Sequence, residues 1–106
     1  MGRDTLGEFE QLVLLACLQL GDGAYTVAIV DEIARRTGRE ASPAAVYVAL
    51  RRMEEKALVT STLGEATPER GGRAKRFFRP EPDALPMLRE ARDVLLSMWK
   101  GLEGTG

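Results

Sequence analysis

The sequence predicts a mainly α-helical chain with one small β-hairpin. Three observations predict it. Four stretches carry apolar residues at helical spacing. The second and third of them are joined by a brief turn containing Gly38. Between the third and fourth lies a β-branched run, Leu58 to Leu63, answered by an aromatic run that ends at Arg79.

The first helix is expected over Thr5 to Leu20. Thr5 is a candidate cap, and Glu8 stands three residues on, as a capping box requires. Phe9, Leu12, Val13, Ala16, Cys17 and Leu20 form one stripe, and Leu14, Leu15 and Leu18 fill most of the other side. A helix apolar nearly all round must be buried on more than one face. The second helix is expected from a Thr26 cap to Thr37, with Gly38 as a left-handed stop. Arg35, Arg36 and Arg39 crowd its end, where cations suit the helix dipole. The third begins at Ser42, a good cap, followed by Pro43 at the first helical position, where a missing N–H costs nothing. Val46, Leu50 and Met53 mark its inner side. Ala44, Val48 and Arg51 mark the other, flanked by Ala45, Tyr47 and Arg52.

Strands are expected over Leu58–Leu63 and Arg73–Arg79, with a polar loop between them. Two helices joined by a short turn and followed by a hairpin make a winged helix-turn-helix. The hairpin loop is then the wing. After Pro80, Pro82 and Pro86, a last helix is expected to run to about Leu102. Ala84, Leu88, Ala91, Leu95, Met98 and Leu102 are spaced as a coiled-coil seam, broadened by Met87, Val94 and Trp99.

The 106 residues suffice for one modest core. Histidine is absent and Cys17 is the only cysteine. That removes histidine-based triads, the commonest zinc ligand and any internal disulfide. The adjacent pairs Asp31-Glu32 and Glu54-Glu55 do not face each other on a helix and read as solvated charge. Cys17 reads as an inert core thiol. No enzyme, cofactor or metal site is expected. No apolar run is long enough to span a membrane and no signal peptide is evident, so a cytoplasmic location is expected. The net charge of −1 conceals a pattern. Residues 41–79 carry 8 basic and 4 acidic side chains, a net +4 between two acidic ends. A basic middle of this kind is an electrostatic footprint for nucleic acid.

The candidate DNA-binding residues follow from this pattern. On the third helix they are Ser42, Ala44, Ala45, Tyr47, Val48, Arg51 and Arg52. Its first amides can meet phosphate. The small Ala44, Ala45 and Val48 allow close approach in the major groove and contact with thymine methyls, and Arg51 is the candidate guanine reader. Tyr47 can reach phosphate or pack against the wing. Arg52 has Glu55 as a competing surface partner. On the hairpin the candidates are Arg70, Gly72, Arg73 and Lys75, with Arg73 suited to a narrow minor groove.

Three blocks of sequence, in order, resemble the PadR family of bacterial transcriptional regulators. They are LGEFEQLVLLACLQLGDGAYTVAI, the stretch from Ser42 through Val59 (SPAAVYVALRRMEEKALV), and TPERGGRAKRFF. The resemblance spans about residues 5 to 79. It implies a winged helix-turn-helix with a C-terminal dimerisation region, and a homodimer that binds operator DNA, usually as a repressor. Some members of the family also sense small molecules. The single short last helix is similar to the family's smaller subgroup. The resemblance places Ser42, Ala44, Ala45 and Tyr47 at the DNA-facing start of the recognition helix, and Gly72 and Arg73 at the wing. This chain departs from the family at Ala57 and Thr26, where glycine is usual. It departs also at Phe77 and Phe78, where tyrosines are usual, and in the Arg79-Pro80-Glu81-Pro82 segment.

The expected organisation is a DNA-binding domain over residues 1–80 and a dimerisation helix over residues 81–106 packed on the first helix. Phe9, Leu12, Leu88, Ala91, Leu95, Met98, Trp99 and Leu102 are the expected dimer interface. One small domain has too little interior to cover the last helix's seam and both sides of the first helix. The expected function is that of a sequence-specific DNA-binding transcriptional regulator, a repressor acting as a homodimer on an inverted repeat. The alternative is a winged-helix module for protein–protein assembly.

Overall fold

The computed structural model of the protein describes residues 6–64, 74–102 and 104. Its elements, in chain order, are α1 (Glu8–Leu20), a 3₁₀ turn (Gly21–Gly23), α2 (Thr26–Thr37), α3 (Pro43–Glu55), β1 (Val59–Leu63), β2 (Arg76–Pro80) and α4 (Ala84–Trp99). The mainly α chain with one hairpin is therefore observed. β1 and β2 pair antiparallel, with Ser61 opposite Phe78 and Leu63 opposite Arg76. The pairing runs one residue past the expected strand end, to Pro80 opposite Val59.

The core forms where α1, α2 and α3 meet and the hairpin closes over them. Val13, Leu14 and Cys17 of α1 are buried against Ile29 and Ile33 of α2, Val46, Leu50 and Met53 of α3, and Val59 and Phe78 of the hairpin. Burial drives the Cys17 thiol pKa up to about 12, so it stays protonated and unreactive at neutral pH. The hairpin has a third participant. The Phe78 N–H donates to the Ala24 carbonyl at 2.8 Å, and Tyr25 bridges Phe77. The segment ahead of α2 thus covers the outer edge of β2, which would otherwise offer unpaired backbone.

Two helix starts differ from expectation. Thr5 lies outside the described residues, and α1 is capped at Gly7, whose N–H donates to the Glu10 carboxylate at 3.1 Å. The start lies two residues later, with Glu10 rather than Glu8 as the residue that reaches back. Thr26 is the first helical residue of α2 rather than its cap, because extended Tyr25 takes the cap position. The stop is as expected: Gly38 has φ 74° and donates to the Ala34 carbonyl at 2.8 Å.

Glu32 was expected to be solvated and is buried instead, at 7% exposure. Arg35 donates to its Oε2 at 2.7 Å and Arg36 donates to the same oxygen. Those two bonds hold the Glu32 carboxyl below the usual carboxylate range, Arg35 foremost. Arg36 also donates to Gln19 on α1 at 3.1 Å, so the ion pair ties α2 to α1.

α4 packs by its first half only. Ala84 and Leu88 are buried in the core and Met87 packs against it. From Arg92 to Lys100 every residue is exposed, with Val94 and Leu95 facing Leu6, Gln11 and Leu58 across an open cleft. The radius of gyration is 15.7 Å, against about 13 Å for a compact chain of this length. The helix stops at Trp99, short of Leu102, because Lys100 turns to an extended ψ of 128° and Gly101 follows at φ 91°.

Candidate nucleic-acid interface

The orientation of α3 is set by its apolar side. Val46, Ala49, Leu50 and Met53 are buried, so helical geometry turns Ala44, Ala45, Val48, Arg51 and Arg52 to solvent, where all five are exposed. The helix begins as the sequence predicts. Ser42 Oγ accepts from the Ala45 N–H at 3.0 Å, and Pro43 occupies the first turn. The exposed first turn thus joins the Ala44 amide with a methyl-sized surface, while Ser42 accepts from the N–H groups of Ala45 and Val46. Arg52, Ala44, Ala45, Val48 and Phe9 line an open groove between α3 and the start of α1. Acidic Glu8 and Glu10 border that groove. Arg39 reaches Glu8 at 3.2 Å and Lys56 reaches Glu10 at 3.8 Å, which offsets their charge beside the α3 face.

Tyr47 does two things. Its ring meets Phe78 of β2 edge-on, with centroids 6.5 Å apart, while 41% of the residue stays exposed. Its hydroxyl accepts from Arg51 Nη1 at 3.1 Å. The Arg51 Nε lies 3.3 Å from Glu54 Oε1. The Tyr47 hydroxyl first, and then the Glu54 charge, favour the protonated guanidinium and raise its pKa further. Arg51 thus enters solvent already held at two points.

The hairpin side contains a connection that sequence reasoning missed. Ser61 Oγ donates to Glu54 Oε2 at 2.7 Å and accepts from Arg76 Nη1 at 3.0 Å. Glu54 was expected to be solvated, and this network corrects that reading. The strand alternation already sets Ser61 on the same sheet face as Val59. Only the fold, however, shows that this face meets the end of α3. Lys75 is partly buried, with its ammonium 4.0 Å from the centroid of the Tyr25 ring, and Tyr25 meets Phe77 edge-on at 5.7 Å. Arg79 pairs with Asp22 at 2.8 Å on the surface. Arg70, Gly72 and Arg73 lie outside the described residues.

The residues expected at the dimer interface divide in two. Phe9 and Leu12 pack partly against their own core, Leu88 is buried in it, and Ala91 is partly buried. Leu95, Met98, Trp99 and Leu102 are exposed by about half or more, as are Val94 and Leu96. On α1 the exposed apolar residues are Leu15 and Leu18, at 45% and 44%. Among the described residues no group of three or more histidine, cysteine or acidic side chains could hold a metal ion. No described helix is long and apolar enough to cross a membrane.

No protein-family model and no curated protein matches this sequence. Solved structures do match. A transcriptional regulator from Clostridium thermocellum aligns over 91% of this chain and 90% of its own, at 18% identity and a TM-score of 0.72. A PadR family transcriptional regulator from Eggerthella lenta aligns over 93% of this chain and 88% of its own, at 27% identity and a TM-score of 0.68. The chain has the PadR-like winged-helix fold. A third structure, the ORC1 protein of Aeropyrum pernix in complex with DNA, matches 81% of this chain through 23% of its own, at 22% identity and a TM-score of 0.63.

Within the PadR-like frame, the departures seen in the sequence acquire geometry. Ala57 has φ 63°, the left-handed conformation that glycine adopts freely. Its N–H donates to the Glu54 carbonyl at 3.0 Å, and the Leu58 N–H donates to Met53 at 2.8 Å, the paired bonds of a Schellman motif. Phe77 and Phe78 place rings without hydroxyls: Phe78 is buried at 2% exposure, where an unpaired hydroxyl would be costly. The Arg79–Pro82 segment keeps its course. Pro80 pairs with Val59, and the Glu81 N–H donates to the Leu58 carbonyl at 2.8 Å before α4 begins.

Proposed function

We propose that this protein is a DNA-binding transcriptional regulator that acts as a homodimer and represses by occupying promoter DNA. The observation that carries the proposal is the solvent face of α3. A capped helix start, three small apolar side chains and two arginines lie on one exposed surface next to a hairpin. A helix enters the major groove by such a face. The Clostridium and Eggerthella neighbours are described as transcriptional regulators, and the Aeropyrum neighbour is in complex with DNA, which supports the same reading.

In this reading the Ala44 N–H of the first turn of α3 donates to phosphate, since Pro43 has no N–H and Ser42 accepts from Ala45 and Val46. Ala44, Ala45 and Val48 approach base edges and thymine methyls, and Arg51 donates to guanine. Arg52 and Lys75 add phosphate contacts, as does Arg70. Arg73 enters the flanking minor groove beside Gly72. The exposed apolar half of α4 joins α1 of a second copy, and a two-fold dimer covers both patches at once. It presents two α3 helices to an inverted repeat with half-sites about 34 Å apart.

Sequencing duplexes selected by the purified chain from a random pool tests the reading. The expected result is an inverted repeat. Arg51→Ala then costs about 1–3 kcal/mol and relaxes preference at one base pair, whereas Arg73→Ala weakens binding to A·T-flanked sites in general. Equal, sequence-independent losses for both variants would contradict the assigned roles.

A further inference from the structure

The Glu54 carboxylate stands between the two parts of the candidate interface. One oxygen, Oε1, lies 3.3 Å from Arg51 Nε on the exposed face of α3. The other, Oε2, accepts from Ser61 Oγ of β1 at 2.7 Å, and Ser61 accepts in turn from Arg76 of β2 at 3.0 Å. The side chain of Glu54 is 32% exposed and that of Arg51 52%. Three groups therefore link the arginine of one element to both strands of the other. The serine hydroxyl is used in both directions, as donor to the carboxylate and acceptor from the guanidinium. We infer that Glu54 is a positioning residue, which holds Arg51 in its reading geometry and fixes it relative to the hairpin through Ser61 and Arg76.

The charge of Glu54 alone would act in the opposite direction. A carboxylate beside a DNA-binding face repels phosphate and ought to weaken binding to every sequence. Glu54 is nevertheless located where both of its oxygens are occupied by groups of the interface itself. A long arginine side chain loses much rotamer freedom when it docks, and holding it beforehand lowers that cost. A fixed guanidinium also presents its donors in one direction, as recognition of a single base edge demands. The inference rests on the DNA-binding reading of α3.

The two origins of Glu54's effect have opposite signs, so the test separates them. The 106-residue chain selects its preferred duplex from a random pool. Affinities for that duplex and for a scrambled one are then measured for wild type, Glu54→Gln, Ser61→Ala and Ser61→Thr, with a thermal melt of each variant to check the fold. Positioning predicts that Glu54→Gln loses about tenfold on the selected duplex while binding the scrambled duplex as tightly as wild type or more so. Ser61→Ala, which changes no charge, shifts the ratio in the same direction, and Ser61→Thr, which keeps the hydroxyl, restores it. In an Arg51→Ala background, Glu54→Gln causes no further loss on the selected duplex. The inference is overturned if Glu54→Gln tightens both duplexes equally, or if a folded Ser61→Ala keeps the wild-type ratio. If the wild-type chain selects no sequence at all, the DNA reading of α3 falls, and this inference with it.

Discussion

Replacing Ala57 by glycine is expected to stabilise the protein. Ala57 occupies the turn that leads from α3 into β1, at φ 63°. A side chain with a Cβ costs about 1–2 kcal/mol in this conformation, because the Cβ crowds the following carbonyl. Glycine removes that cost. It also enlarges the conformational freedom of the unfolded chain, which takes back about 0.4–1 kcal/mol. Ala57 is exposed, so the lost methyl group leaves no cavity. The two backbone bonds of the turn, from Ala57 to Glu54 and from Leu58 to Met53, need no side chain and remain. The net gain lies between about 0 and 1.6 kcal/mol, and its midpoint of about 0.8 kcal/mol raises Tm by about 3–6 °C in a domain of this size. Thermal and urea unfolding at one fixed protein concentration measure it, since self-association would otherwise shift the midpoint. Ala57→Val is the opposing control: a β-branched side chain fits positive φ still less well, and its Tm should fall. A lower Tm for Ala57→Gly at an unchanged urea slope would refute the reasoning, since it would mean that the turn is not strained.

Two further outcomes are expected. Glu32 has a depressed folded-state pKa, held down first by Arg35 and then by Arg36. Its contribution to stability is therefore complete above about pH 4.3, the value of an unfolded glutamate, and is lost as pH falls through the lower folded value. Acid titrations of stability should show a flatter limb for Glu32→Gln than for wild type, and parallel limbs would count against the pairing. Leu95→Glu places a charge on the exposed apolar stripe of α4, where burying it unpaired against a second copy costs several kcal/mol. Light scattering should find the wild type dimeric at tens of micromolar and Leu95→Glu monomeric; a wild-type monomer would remove the proposed interface.

The helices were legible because their signals are local. Ser42-Pro43 opens α3 and Gly38 closes α2 as the sequence predicts, and the spacing of Val46, Leu50 and Met53 gives the buried side of α3. The exposed candidates on α3 follow directly from that side. The starts of α1 and α2 were less legible, because Thr5 and Thr26 are good caps on propensity alone. Gly7 and Tyr25 hold those positions through contacts of their own, Gly7 with Glu10 and Tyr25 with Phe77. The seam of α4 was legible as a pattern but not as a division. Leu88 is used inside its own chain while Leu95 is not, and only the packing of α4 on the body separates them. Least legible were Glu32 and the Glu54–Ser61–Arg76 chain. Acidic side chains on helices read as solvated, and the hydrogen bond from Arg76 to Ser61 spans fifteen residues of sequence that no periodicity relates.

The central claim is that α3 and the hairpin form a surface for DNA. The measurement that tests it most directly is the affinity of the full chain for its selected duplex as a function of salt. A dimer that neutralises about 6–10 phosphates should lose about 10³–10⁵-fold in affinity between 50 and 200 mM salt. An affinity that does not change with salt, or no measurable binding at 50 mM, would contradict it.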